Sequence, residues 1–488
     1  MSAGIGTMPH VTIVGGGLAG ISAAIRLAER GCAIDLFDGA PRLGGKAGAT
    51  QHGGDADEHG YHIFPMWYRN IWRLVDELGI GGNFIDRTDF KQVNAGDFPR
   101  WKSFENITSW RYAWRNLTSG VLPFSEAVLF FYAALDLMSQ PYRYRAQLDQ
   151  VTVTGFLRSR FYRTETIAEQ FEELMLKGIS VPTYEVSAMT MRKVMQFWVR
   201  SPEPMHRILK GNLQELWIEP LAKRLAALGV NVNLEKRLTR LVCGGGRVAH
   251  AVFGDETRDV DRILIAVPVD KFVRLLDDDL YRCAPQLAGT RNLRARPMAA
   301  LNIYFTRRIE GVPVGHVNLL GSQFGLSFID VAQSWPGLET TTLNLIASDF
   351  TTLAGLSDQE AISELMRDLR RYVPFDNGDI RRVDFQSHID EPLFMNNVGG
   401  WAFRPDARSG IENLYLAGDY CRSEIDLVCM EGAVSTGLRA AEAIRQDLRL
   451  TSPVEVLEPR TYPRLLAVLG RYALLPVAAA AKLATLLH

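Results

Sequence analysis

The chain has 488 residues, 47% of them hydrophobic and 22% charged, with a formal net charge of −1. That length allows two or three packed lobes. The balance excludes a disordered chain and offers nucleic acid no basic excess.

Cys32, Cys243, Cys283, Cys421 and Cys429 are odd in number and include no CxxC pair. Neither a disulfide framework nor a metal site is expected, and reduced cytoplasmic thiols are the simple reading. The first nine residues read as a short polar lead, not a secretion signal. No run of eighteen uninterrupted apolar residues occurs.

In chain order, Val11 to Val14 is an apolar run fit for a buried parallel strand. Leu18 to Arg30 has helical spacing, and Ala33 to Phe37 is a second strand, giving a βαβ unit. Residues 91–210 lose that rhythm and read mainly as helices rich in Trp, Tyr, Phe and Arg. From 211 the α/β rhythm resumes, with a helix over 220–228 and a strand over 230–234. A hairpin over 240–253 turns at Gly244-Gly245-Gly246, and a strand over 262–267 stops at Pro268. Residues 299–305 and 316–331 alternate as strands of a second sheet, and a helix fits 358–372. Leu414 to Ala417 is a short buried strand, and a helix runs from near Gly432 to about 446. The fold class is α/β: a discontinuous Rossmann-like nucleotide domain (1–90, 211–275, 410–450) holding an inserted α+β domain (91–210, 276–409), with an apolar helical tail (451–488).

Four motifs carry chemistry. The first is Gly15-x-Gly17-x-x-Gly20. Gly15 permits a tight turn, Gly17 lets backbone approach a pyrophosphate, and Gly20 lets the helix pack on the strand. Asp38, 18 residues past Gly20, ends the second strand and suits ribose hydroxyls. The second is Arg42-Leu43-Gly44-Gly45-Lys46, two glycines flanked by cations that can wrap the same pyrophosphate. The third is Glu58-His59-Gly60-Tyr61-His62. Gly60 suggests close backbone approach to a ligand. His62 is the candidate catalytic group, with a satisfied core histidine as the alternative. The fourth is Leu416-Ala417-Gly418-Asp419 with Met430-Glu431-Gly432-Ala433. There an acidic residue suits ribityl hydroxyls, and a helix N-terminus can stabilise negative charge on a reduced flavin.

Together these motifs resemble the FAD-containing amine oxidase and carotenoid desaturase superfamily, most closely the phytoene and zeta-carotene desaturases of plant and cyanobacterial type. Similar stretches run over 10–80 and 211–445, including Gly60 to Phe64 with Tyr68 and Asn70, Leu301 to Phe305, and Arg404-Pro405. The match is poor over 91–210, which should shape the substrate cavity. The resemblance implies FAD contacts from Gly15, Gly16, Gly17, Leu18, Ala19, Gly20, Asp38, Gly39, Arg42, Gly45, Lys46, Gly60, Tyr61, His62, Gly418, Asp419, Met430, Glu431 and Gly432. The backbone of Leu238 would meet the adenine. The family usually has Glu where Asp38 stands, and the shorter side chain still accepts two hydroxyls. No Cys precedes Arg404-Pro405, so FAD is expected to be non-covalent. Many amine oxidases place a Lys near Ala299-Ala300. This chain has none, which favours the apolar-substrate branch.

Leu465 to Leu487 is very apolar, and with Arg464 its only charges are Arg471 and Lys482. Pro476 is expected to divide it into two short pieces. Its positive charges fit a segment lying on an anionic membrane surface. Ala127 to Leu137 is a second membrane-facing candidate, and internal packing is the alternative for both.

The resulting expectation is a cytoplasmic, peripherally membrane-associated FAD oxidoreductase. It would abstract hydride from a long apolar, isoprenoid or carotenoid-like substrate and form a C=C bond. No second dinucleotide fingerprint occurs, so a quinone, oxygen or another acceptor is expected to reoxidise the flavin. Three alternatives stay open: an isoprenoid dehydroxylase or isomerase, a flavin amine or amino-acid oxidase, and a non-enzymatic prenyl-binding protein.

Overall fold

The computed structural model describes residues 8–52, 55–105, 110–141 and 145–487, so most of the N-terminal lead lies outside the described residues. A parallel sheet of five strands runs in the order Asn231–Asn233, Ala33–Phe37, His10–Val14, Ile263–Ile265 and Leu414–Leu416. Val11, Ile13, Ile263, Leu264 and Ile265 are fully buried. A sheet covered on both faces needs such continuous apolar runs.

One face carries the fingerprint helix Leu18–Ala28 and the closing helix Met430–Asp447. They cross at Gly437, where a Cβ would lie 2.2 Å from the carbonyl oxygen of Ala19. The other face carries an antiparallel sheet of Leu238–Gly244, Arg247–Phe253 and Glu256–Asp259, turned at the expected glycines. Phe253 stacks on Phe37 at 4.2 Å between centroids.

A second sheet has seven strands in the order Ile380–Gln386, Ala299–Phe305, Thr342–Ala347, Leu326–Asp330, His316–Leu320, Asp89–Asn94 and Lys102–Glu105. Alternation splits its two faces. Leu301, Ile303, Phe305, Val317, Phe328 and Leu345 pack in one core with Ala361 and Leu365 of the helix Asp358–Leu369. Ser357 and Glu360 start that helix with a reciprocal capping box. The opposite face is polar, with Asn302, Ser327, His316 and Asn344, all buried.

Residues 91–210 are helical over Trp110–Thr118, Phe124–Ser139, Glu165–Ile179 and Ala188–Val199. The expected boundary at 90, however, falls inside the strand Asp89–Asn94, and Lys102–Glu105 and His206–Leu209 are also strands. Asp89–Asn94 is mostly polar and takes its place by parallel pairing with residues 317–320, far away in sequence. Such pairing overrides local propensity.

Two expectations about apolar segments need correction. Ala127 to Leu137 belongs to the helix Phe124–Ser139 and is core: Leu129, Tyr132, Ala133 and Leu137 are buried. It faces protein, not lipid. Pro476 does not divide the tail, which is one helix of 22 residues, Arg464–Thr485, roughly 33 Å long. A proline removes one helical hydrogen bond, a loss that packing against a neighbour offsets. With a mean hydropathy of 1.5, this helix is long and apolar enough to cross a membrane by length and composition.

The tail helix lies against Phe124–Ser139 through small residues. Ala467 and Ala478 are fully buried, and Gly470 faces Leu135. Its three charges all bond to protein, with Arg471 and Lys482 half-buried and Arg464 exposed. Arg464 Nε donates to the Ser139 carbonyl at 3.0 Å, Arg471 pairs with Asp136 at 3.1 Å, and Lys482 Nζ donates to the Arg163 carbonyl at 2.7 Å.

The two helix crossings should respond oppositely to a methyl group. Gly437→Ala forces a Cβ into backbone and should lower unfolding free energy by about 1–3 kcal/mol. Gly470→Ala meets only ordinary side-chain contact and should be neutral or stabilising by up to about 1 kcal/mol. Denaturant unfolding of both variants measures the contrast.

Candidate functional site

Loops leaving the carboxyl ends of the parallel strands meet at one edge of the sheet, where open α/β folds bind ligands. Gly15, with φ of 113°, turns so tightly that a Cβ would lie 2.5 Å from the Ala266 carbonyl oxygen. At Gly20 a Cβ would lie 1.9 Å from the Gly15 carbonyl oxygen. Gly17 differs: no atom stands within 4 Å of its missing Cβ. Two glycines are therefore required by packing, and the third borders open space.

Asp38 is fixed beside this turn. Its Oδ2 accepts from Gly16 N at 2.6 Å and its Oδ1 from Ala40 N at 2.7 Å. Burial holds the carboxyl above its ordinary value despite those two donors. The second glycine pair lies across the first. Gly44 N donates to the Gly16 carbonyl at 2.9 Å, and Gly45, exposed, faces the Gly17 Cα.

Two cations flank this crossing. Lys46 Nζ donates to the Pro392 carbonyl at 2.6 Å, and Arg42 has no ion-pair partner among the described residues. Burial depresses both, with Asp419 opposing the effect at Lys46. Partly buried cations without a bonded carboxylate, open glycine backbone and a helix N-terminus together fit a pyrophosphate.

Asp419 reaches the same edge after the strand Leu414–Leu416. Gly418 N donates to Thr436 Oγ1 at 3.0 Å. Buried Arg404 donates to the carbonyls of Asp419, Tyr420 and Cys421 at 2.8–3.0 Å and pairs with Asp426. Sequence reasoning matched Arg404 but assigned it no role. This clamp appears only when the loop is folded.

The Glu431 side chain has partners within the protein. Its Oε1 accepts from Asn70 N and Nδ2 at 2.8 and 2.7 Å, and its Oε2 from Ile71 N at 3.0 Å. The carboxylate therefore caps the helix Arg69–Leu78, leaving only its backbone to a ligand. Burial pushes this carboxyl up to about 7. Met430 and Gly432 start the closing helix, with Cys429 Sγ accepting from Gly432 N at 3.3 Å. Leu238 is buried at the first position of its strand, opposite Phe253.

The Gly60 loop rests on the polar face of the second sheet. Gly60, with φ of 142°, sits so close that a Cβ would be 3.1 Å from Ile346 Cδ1. Tyr61 N donates to Asn344 Oδ1 at 3.1 Å, and Asn344 Nδ2 donates to Glu58 at 3.2 Å. Glu58 also accepts from Leu213 N at 2.8 Å, and burial pushes its carboxyl up to about 8.

The His62 Nδ1 lies 2.8 Å from the Gly60 carbonyl. A carbonyl only accepts, so Nδ1 carries the proton and Nε2 is left as the acceptor. Tyr61 and His62 line a small cavity with Ile208, Ile329, Val331 and Trp335. His59 sits beside His388 at 3.5 Å, and their surroundings include Lys46. Among the described residues no His, Cys, Asp and Glu cluster suits a metal.

Burial lowers His59, His62 and His388 to about 4 and His206 to about 3. The folded state therefore favours the neutral imidazoles. Their stabilising contribution is present above the unfolded value near 6.5 and is lost as pH falls toward 4. Unfolding free energy should drop across that window by up to about 1.4 kcal/mol per pH unit for each histidine. His62→Gln should remove one proton's share of the slope, measured by denaturant titration at several pH values.

The sequence pattern described as flavin containing amine oxidoreductase matches residues 18–445. The 15-cis-phytoene desaturase of Synechococcus elongatus is 26% identical over 467 residues, covering 90% of this chain and 96% of that one. The chloroplastic/chromoplastic 15-cis-phytoene desaturase of Narcissus pseudonarcissus is 27% identical over 465 residues, covering 90% and 80%. Among solved structures, putrescine oxidase bound to putrescine superimposes with a TM-score of 0.70 at 17% identity, covering 90% of this chain and 99% of that one. The pattern match begins just after the Gly15 turn and takes in Gly20, the Gly44-Gly45 pair, the Gly60 loop and most of the closing helix, and the chain belongs to the flavin containing amine oxidoreductase family as an FAD-dependent oxidoreductase.

Proposed function

We propose that one FAD lies, non-covalently, along the carboxyl edge of the parallel sheet. The observation that carries this reading is the crossed glycine pair, with open space at Gly17, exposed Gly45 against it, and Arg42 and Lys46 flanking both. Gly15 to Gly20 and the Arg42 to Lys46 loop hold the pyrophosphate, and Asp38 with Gly39 holds the ribose. The Leu238 backbone meets the adenine. Gly418 and Asp419 bind the ribityl chain. The start of the closing helix, Met430 to Gly432, and the Gly60 to His62 loop border the isoalloxazine.

The substrate in this reading is a long apolar, isoprenoid or carotenoid-like molecule, and the product gains a C=C bond. Bound FAD supplies the two-electron acceptor for the hydride that leaves carbon. The chain positions the reacting carbons and excludes water. His62 lines the cavity and offers Nε2 as an acceptor for the accompanying proton, and its neutral state at pH 7 keeps it free to accept. Two observations support this substrate class over amines: both curated desaturase relatives align over nine-tenths of the chain, and the strand Ala299–Phe305 contains no Lys. A quinone or oxygen would serve as the electron acceptor for the bound cofactor.

The tail helix is the proposed membrane contact on the cytoplasmic face. Leu465, Leu469 and Leu483 are 69%, 57% and 64% exposed, whereas the three cations of the helix bond to protein. Attachment therefore rests on apolar insertion.

Anaerobic mixing with a carotenoid precursor hydrocarbon should bleach the oxidised flavin band and yield a product with an added C=C bond. Ammonia release from an amine, or loss of a hydroxyl without bleaching, would replace this reading. Lys46→Gln should weaken FAD binding at least about tenfold while the apoprotein keeps or gains stability, since a poorly paired buried cation is removed. Vesicle flotation should show equal binding to neutral and anionic phospholipid and little salt dependence. Leu465, Leu469 and Leu483 changed together to Gln should abolish flotation.

A further inference from the structure

Behind Tyr61 lies a polar patch that the proposed flavin site does not use. The Tyr61 hydroxyl meets His316 Nε2 and Ser327 Oγ, each at 2.6 Å. Asn318, on the same strand as His316, pairs with Gln92 of the neighbouring strand Asp89–Asn94, so His316, Asn318, Phe90 and Gln92 project from one face of the second sheet. His206 stacks on the Phe90 ring at 4.7 Å, and His316 packs against its edge at 4.9 Å.

Both imidazoles are buried. Yet among the described residues both ring nitrogens of His206, Nδ1 of His316 and the amide oxygens of Gln92 and Asn318 lack a hydrogen-bond partner. Buried polar atoms are retained unpaired where a ligand or an ordered water completes them.

The patch adjoins the cavity lined by Tyr61 and His62. Ile208, two residues beyond His206 on the same strand face, is a wall of that cavity, as is Ile329, the cross-strand partner of His316. The cavity wall formed by Ile208 and Ile329 thus adjoins a polar floor. Burial keeps the floor neutral, lowering His206 to about 3 and His316 well below its usual value. Arg87 and Lys177 are the nearest charges, and Lys177 is paired with Glu173. A neutral imidazole offers one donor and one acceptor. That set matches a neutral hydroxyl.

We propose that His206 and His316 bind the oxygen of an alcohol carried by the substrate, so that the preferred ligand is a long apolar chain bearing a hydroxyl. The proposal rests on the reading of the Tyr61 and His62 cavity as the substrate side of the flavin. The same oxygen chemistry is available from water, and the test separates the two.

The FAD-loaded protein is titrated in detergent micelles with octaprenol and with the octaprenyl hydrocarbon of equal length, read by quenching of tryptophan fluorescence. The wild type should bind octaprenol at least about tenfold more tightly. His206→Phe with His316→Phe should erase that preference and leave hydrocarbon binding unchanged. His206→Gln with His316→Gln, which keeps a donor and an acceptor at each position, should retain part of it and serves if the Phe pair fails to fold. Equal binding of the two probes, with crystallographic water at the imidazoles that octaprenol does not displace, would assign the patch to water and overturn the proposal alone. Binding of neither probe would overturn the proposal and the isoprenoid reading together.

Discussion

The whole molecule hangs on one steric constraint, the contact between the Gly15 turn and the Ala266 backbone. No side chain fits between them, because a Cβ on Gly15 would stand 2.5 Å from a carbonyl oxygen. That closeness lets the strands His10–Val14 and Ile263–Ile265 lie side by side with their carboxyl ends level. The loops that carry the dinucleotide-binding chemistry leave from this edge. Asp38 follows one strand, Asp419 another, and the Gly44-Gly45 pair folds back over the first turn. Widening the turn would separate all of them at once.

A second constraint joins the two sheets. Glu58, Asn344 and Asn302 form a buried polar clasp between the Gly60 loop and the inner face of the second sheet. Such a network is costly unless each member is satisfied, and when satisfied it fixes a single arrangement. The strands of the second sheet are therefore two-sided by necessity, with an apolar face for the helix Asp358–Leu369 and a polar face for the loop.

Much of this was legible in the sequence because its physics is local. Gly15, Gly17 and Gly20 each answer a backbone requirement within one turn. Asp38 ends a strand whose apolar pattern is plain, and the Gly244 to Gly246 hairpin turns where its glycines sit. The misreadings share the opposite cause. Asp89–Asn94 is tied into its sheet by pairing with residues 317–320 as well as with Lys102–Glu105, and Glu431 becomes a helix cap only because Asn70 arrives from elsewhere in the chain. Ala127 to Leu137 looked lipid-facing because an apolar helix reads alike whether lipid or another helix covers it. Pro476 looked like a break because the neighbour that supports the tail helix is invisible in its own composition. The same holds for His206 and His316, more than a hundred residues apart in the sequence and brought to a common Phe90 by the fold.

The protein-bonded charges of the tail helix have a mechanical consequence. Asp136 is buried and holds Arg160 and Arg471 together, so one carboxylate rivets the tail to the helical lobe. A helix fastened this way is a rigid keel, not a tether. If a surface receives its leucines, as proposed, that surface fixes the tilt of the protein, and with it the direction in which any entrance to the interior points. Orientation at an interface would then be inherited from side-chain packing, with no hinge to adjust it.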